Sequence, residues 1–184
     1  SVGPQTILEA IERMAAVNPK LNAVVFDFSD DALKAAKAAD RARAKGGELG
    51  PLHGVPITIK ENVDYQGYPN PNGVKALLGQ IAPSDSPVVR NLKKSGAIVL
   101  GLTNTPEFSF RAFTDNPLHG LTLNPWDDAI TCGGSSGGAA SAVAAGIGAI
   151  GHGNDIGGSL RWPAHCNGIV TIKPTQGRIP AYNE

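Results

Sequence analysis

Two serine-bearing glycine clusters and one lysine at the end of an apolar run are the residues of this sequence best suited to chemistry. The first cluster is Gly133-Gly134-Ser135-Ser136-Gly137-Gly138, and the second runs Asn154-Asp155-Ile156-Gly157-Gly158-Ser159-Leu160-Arg161. Ser135 and Ser159 stand 24 residues apart, and Lys60 lies 75 residues before Ser135. Amide hydrolysis needs a nucleophile, a base that becomes an acid, and a binder for the developing oxyanion. A serine with a lysine base supplies the first two. Lysine works as a base only when neutral, so its solution pKa of ~10.4 must fall toward ~7 to 8 through desolvation or a nearby cation. Burial at the end of Val55-Pro56-Ile57-Thr58-Ile59 is a source for that shift. In the second cluster, consecutive amides from Ile156 through Gly157 and Gly158 to Ser159 can form an anion-binding concavity. Asp155 and Arg161 flank that turn and read as a supporting ion pair that holds the loop.

Other motifs match in letters only. Gly146-Ile147-Gly148-Ala149-Ile150-Gly151 fits the dinucleotide fingerprint, which requires a strand before it and a helix after it. Here an Ala-rich helical stretch precedes it, and Thr171 stands where an acidic residue is expected. Gly133-Gly134-Ser135-Ser136-Gly137 fits a nucleophile elbow, but residues 127–132 make a poor strand. Asp155 followed by His165 is a tightly spaced partner set for such a triad. His53, His119, His152 and His165 do not fall at metal-ligand spacing, so no metal is expected. Cys132 and Cys166 form no CxxC pair and read as reduced thiols of a cytoplasmic protein.

The elements that must position these residues follow from periodicity. Ile7, Leu8, Ile11 and Met14 predict a helix over 4–17, stopped by Asn18-Pro19. A strand is predicted over 22–28, an Ala-rich helix over 30–45 ended by Gly46-Gly47, and a strand over 55–60. Turn formers fill 65–73. A helix over 85–95 and a buried strand over 97–100 follow. Residues 103–125 read as loop with a short helix near Glu107. From Gly133 to Gly158 small residues allow close backbone approach, and Val143, Ile147, Ile150 and Ile156 argue against a linker. Alternating helices and strands predict an α/β fold with a mixed sheet flanked by helices.

The 184 residues fit a single domain, 1–184. Sixteen basic residues balance sixteen acidic ones, which gives no reason to expect nucleic acid or an anionic membrane surface as partner. No apolar run reaches the ~18 to 20 residues of a membrane span. The first residues lack the basic and apolar stretches of a signal peptide.

The order of these motifs resembles the amidase signature family, whose members include fatty acid amide hydrolase, malonamidase and peptide amidase. The resemblance is carried by Ile57-Thr58-Ile59-Lys60-Glu61-Asn62, Thr103-Asn104, Glu107-Phe108, Asn124-Pro125-Trp126, both serine clusters, and Lys173-Pro174-Thr175-Gln176-Gly177-Arg178. It covers nearly the whole chain. It implies an acyl-enzyme on Ser159, with Ser135 as a bridging serine on a cis peptide bond and Lys60 as the base. It further implies that Ser136 helps to hold Lys60 and that Ile156 to Ser159 supply the oxyanion hole. The expected substrate is a small-molecule amide, with no cofactor. The alternatives are an amidotransferase-type subunit delivering ammonia to a partner, and a catalytically silent scaffold. Departures are Asn154 where the family has threonine, Cys132 where it has proline, and Ile169-Val170-Thr171 for a more glycine-containing stretch. Members are also far longer, so the expectation is a core whose C-terminal half is missing or supplied by a companion chain. Dimers are common among relatives, so a homodimer is a further expectation.

Overall fold

A computed structural model of the protein describes residues 4–180. Helix α1, Pro4–Leu21, buries Ile7, Ala10, Met14 and Leu21. It runs past the stop expected at Asn18-Pro19. A proline in the last turn removes a single intrahelical donor, and Asn18 compensates from its side chain. Its Oδ1 accepts from the backbone amides of Ala23 and Val24 at 2.9 and 2.8 Å, tying the helix end to the next strand. The remaining elements are β1 (Val24–Asp27), α2 (Ser29–Ala44), β2 (Pro56–Lys60), α3 (Pro87–Lys94), β3 (Ile98–Thr103), α4 (Gly137–Ala144), β4 (Ile150–Gly151) and α5 (Arg161–Asn167). A 3-10 turn, Glu107–Ser109, matches the short helix expected there.

The four strands form one mixed sheet in the order β1-β3-β2-β4. β2 lies parallel to β3 and β4, whereas β1 runs antiparallel to β3. The two central strands are buried along their whole length, as expected for parallel strands covered on both faces. Ile98 and Leu100 of β3 pack with α1, α2 and α4 on one face, while Val99, Ile57 and Ile59 pack with Val89 of α3 on the other. Lys60 is the last residue of β2 and pairs in register with Thr103, the last of β3. The lysine therefore sits at the carboxyl ends of parallel strands, where open α/β sheets place their ligand sites. The Gly146–Gly151 stretch leads into β4 rather than out of a strand, so the dinucleotide reading has no structural support. No described helix is long and apolar enough to cross a membrane.

The second glycine of α4 shows why the first cluster is so small in side chain. A Cβ on Gly138 would lie 2.5 Å from the Asn104 amide nitrogen and 2.8 Å from the Ala23 carbonyl oxygen. These are backbone atoms, so relief requires shifting an element. Gly138→Ala is expected to cost ~1 to 3 kcal/mol, a Tm drop of roughly 2 to 10 °C. An unchanged melting curve would show that α4 is free to move away from the sheet.

Candidate active site

Three segments converge at the end of β2. The first is Lys60 itself, which is fully buried. The second is the turn before α4, where the Gly134–Ser135 peptide is cis. The third is the segment from His152 to Arg161 that leads from β4 into α5. Lys60 Nζ donates to Ser135 Oγ at 2.6 Å and to Asn154 Oδ1 at 2.8 Å. Burial is the main cause that takes the lysine down to a pKa of about 7, with the negative charges of Glu61 and Asp155 opposing it. Near neutrality the amine is thus available as a proton acceptor. Holding a lysine that far below its ordinary value costs the fold roughly 5 kcal/mol.

Asn154 does more for the lysine than sequence reasoning assigned to it. Its amide forms a reciprocal pair with Asn62: Asn154 Nδ2 donates to Asn62 Oδ1 at 2.9 Å, and Asn62 Nδ2 donates back to Asn154 Oδ1 at 3.2 Å. Asn62 Nδ2 also donates to Ser109 Oγ at 3.0 Å, and Ser109 in turn donates to Asn72 Oδ1 at 2.7 Å. Ser136, expected to help hold Lys60, bonds to the Asn154 backbone: its Oγ donates to the carbonyl at 3.3 Å and accepts from the amide at 3.4 Å. Its influence on the lysine therefore passes through Asn154. Gly153 gives Ser136 this room, because a Cβ there would sit 2.7 Å from Ser136 Oγ.

Asp155 and Arg161 form the expected pair. Arg161 Nη2 and Nε donate to the two carboxylate oxygens at 2.9 and 3.0 Å, and the Asp155 side chain is fully buried. The Arg161 hydrogen bonds are the largest cause holding this carboxyl well below the usual range, against the opposing effect of burial. The amides of Gly158, Leu160 and Arg161 also donate to Asp155. This revises the expected oxyanion hole, since the Gly158 N–H is engaged by Asp155 at 2.8 Å rather than turned to a shared point. The Ile156 side chain stands fully in solvent. The two serine turns are joined through backbone: Ser136 N donates to the Ser159 carbonyl at 3.2 Å. No hydrogen bond links the Ser135 and Ser159 hydroxyls among the described residues.

His152 lies beside the lysine but contributes no charge near neutrality. Burial, then the Lys60 charge, lower its pKa to about 4. Burial pushes the Cys132 thiol up to about 12, so it is a neutral packing residue and not a nucleophile. His165 is exposed on α5, and no serine–histidine hydrogen bond occurs among the described residues.

The sequence profile of the amidase family matches residues 5–184. The chain belongs to the amidase family. An indoleacetamide hydrolase of Bradyrhizobium diazoefficiens is 79% identical over 97% of this chain and 34% of its own length. A glutamyl-tRNA(Gln) amidotransferase subunit from Acidothermus cellulolyticus is 44% identical over 94% of this chain and 34% of its own. Among solved structures, a bacterial aryl acylamidase of the amidase signature family superposes with a TM-score of 0.84 at 36% identity, covering 89% of this chain and 34% of that one. The chain thus spans about a third of the length of the relatives it matches. Within this amidase-family chain, Asn62, Ser109 and the role of Asn154 escaped sequence reasoning. The signal that could have found Asn62 is its place two residues after Lys60, inside the turn that ends β2.

Proposed function

We propose that this amidase-family chain hydrolyses a carboxylic amide through an acyl-enzyme on Ser159, with a proton relay of Ser135 and Lys60. The observation that carries the reading is the buried, depressed Lys60 hydrogen-bonded at 2.6 Å to the hydroxyl of Ser135. The neutral amine takes the Ser135 proton, Ser135 takes the proton of Ser159, and the Ser159 alkoxide attacks the carbonyl. The same relay run backwards protonates the leaving nitrogen, and water repeats the sequence to release the acid. The amides of Ile156, Gly157 and Ser159 bind the oxyanion once substrate completes the site, while Asp155, holding the Gly158 N–H and paired with Arg161, keeps that turn in shape.

The substrate class we assign is an aryl-substituted acetamide such as indoleacetamide. Its support is the 79% identity to an indoleacetamide hydrolase, against 44% to an amidotransferase subunit. The latter reading, ammonia delivery to a partner, is correspondingly weaker. A silent scaffold has no use for a buried lysine hydrogen-bonded to a serine.

The test is a fluorophosphonate probe applied to the full chain in active form, followed by peptide mass mapping. A single adduct on the peptide carrying Ser159 is the expected result, and an adduct on another residue would overturn the assignment. Asn154→Ala removes one of the two acceptors of Lys60 Nζ. It is expected to lower kcat about 10- to 100-fold with little change in KM, the scale of a lost hydrogen bond to a charged group. A fall confined to KM would place Asn154 in substrate binding instead.

A further inference from the structure

We infer that the cavity between the start of α3 and the His152–Ile156 turn is a binding site for a small carboxylate with an apolar body, separate from the paired serines. The cavity measures about 610 Å³, more than a bare ion needs and within the range of small-molecule sites. Ser135, Ser159 and Lys60 do not line it. It touches the relay through Asn154, which lines the cavity and accepts from Lys60.

A serine in front of a helix ordinarily caps it by accepting from an amide of the first turn. Ser86 stands in that place before the eight-residue α3 and makes no such bond. It lines the cavity, is only 3% exposed, and its Oγ is buried without a partner. A buried hydroxyl left unpaired carries its full desolvation cost, which an acceptor entering the cavity would remove. Pro87 has no N–H, and the Val88 and Val89 amides that follow it meet no acceptor among the described residues. Those amides and the positive end of the helix favour an anion. His152 is a second orphan in the same wall, because its Nδ1 is buried without a partner. A neutral imidazole can carry its hydrogen there. Lys173 also lines the cavity and forms no ion pair among the described residues.

Each of these unused groups is a donor or can act as one, which selects a ligand that only accepts. A carboxylate does so with both oxygens. Val63, Val88, Leu160 and Ile179 supply apolar wall for the rest of the molecule. The acids nearby do not forbid a negative charge. Asp155 lines the cavity but is held by Arg161 at 2.9 Å, and Asp85, next to Ser86, is paired with Lys93 at 2.8 Å. Asp64 accepts from Asn70 Nδ2 at 2.7 Å, and its carbonyl accepts from the Ser86 amide at 2.9 Å. The acid released from an arylacetamide belongs to the inferred ligand class, so the inference extends the substrate class proposed above without requiring it.

Phenylacetate is the probe, titrated by calorimetry into the full chain in active form at low ionic strength. The parent chain is expected to bind it. Ser86→Ala should weaken binding about 5- to 10-fold, the scale of one hydrogen bond to a charged group. Lys173→Glu opposes the ligand charge and should weaken binding by a similar factor that shrinks as salt is added. Neither substitution should change turnover of an arylacetamide, and the neutral phenylacetamide should not respond to them. Absence of phenylacetate binding, or equal binding by the parent and both variants, would overturn the inference. A rise in KM for the arylacetamide in step with the lost phenylacetate binding would make the cavity part of the substrate site and overturn its separateness. If Ser86→Ala does not fold, Lys173→Glu at an exposed position decides alone. Failure of the Ser159 assignment would appear as turnover surviving in Ser159→Ala and would leave this titration untouched, which keeps the two failures apart.

Discussion

Ser159→Ala is expected to reduce amide turnover to background, about 10⁴- to 10⁶-fold below the parent chain. The size follows from what is removed. Without the hydroxyl no acyl-enzyme forms, and the remaining groups can bind substrate but have no nucleophile to activate. Lys60 still contacts Ser135 at 2.6 Å in such a variant, so a relay that ended on Ser135 would stay intact. The variant therefore discriminates between the two serines as well as testing the first. Turnover of an arylacetamide would be followed by acid release, with probe labelling in parallel. Near-normal turnover, or an adduct appearing on Ser135, would sink the assignment of Ser159 as nucleophile. The fold should be little disturbed, because the tie between Ser159 and the first serine turn runs through its carbonyl and not its hydroxyl.

Much of the frame is legible in the sequence alone. The run Val55–Ile59 announces a buried central strand because apolar residues without alternation have two covered faces, and Lys60 at its end is the one charged residue of that strand. The glycines announce close approach, and Gly138 against Asn104 shows what they approach. The Asp155–Arg161 pair is legible because a six-residue spacing around a tight turn leaves the two side chains few other partners. Three things are not legible. The end of α1 is missed because Pro19 reads as a stop in isolation, while the gain from burying Leu21 and from the Asn18 bonds to β1 emerges only once the strand is placed. Ser136 reads as a residue that helps to hold the lysine, but the sequence does not tell that Asn154 stands between them. The Asn62–Asn154 pair joins residues 92 positions apart, and no periodic pattern reports a contact of that range. In the sequence Asn154 stands out only as a departure from the threonine of the resembling family. Its carboxamide supplies what a hydroxyl also could, an acceptor for Lys60, and adds the second hand that grips Asn62.

Lys60→Ala should remove most activity near neutrality, about 10³- to 10⁴-fold, and its pH behaviour is more telling than its size. In the parent chain the base is active above a pKa of about 7, so kcat/KM should fall tenfold per unit as pH drops below that value. The variant has no such limb, and its residual rate should climb with pH as hydroxide takes over proton removal. A defect of constant size at every pH would make Lys60 structural. Stability supplies an independent check with a definite sign. The folded pKa is lowered from 10.5 to about 7, so the unfolded chain binds the lysine proton more tightly over that window. The penalty of burying this group is full below about pH 7 and is relieved as pH rises toward 10.5, by up to ~1.4 kcal/mol per unit. The parent chain should therefore gain stability relative to Lys60→Met as pH is raised from about 7 to about 10, when both are unfolded by urea. A flat difference would mean that the lysine keeps its ordinary proton affinity in the fold. It would then be charged at neutral pH and unable to accept the proton of Ser135, whatever the distance between them.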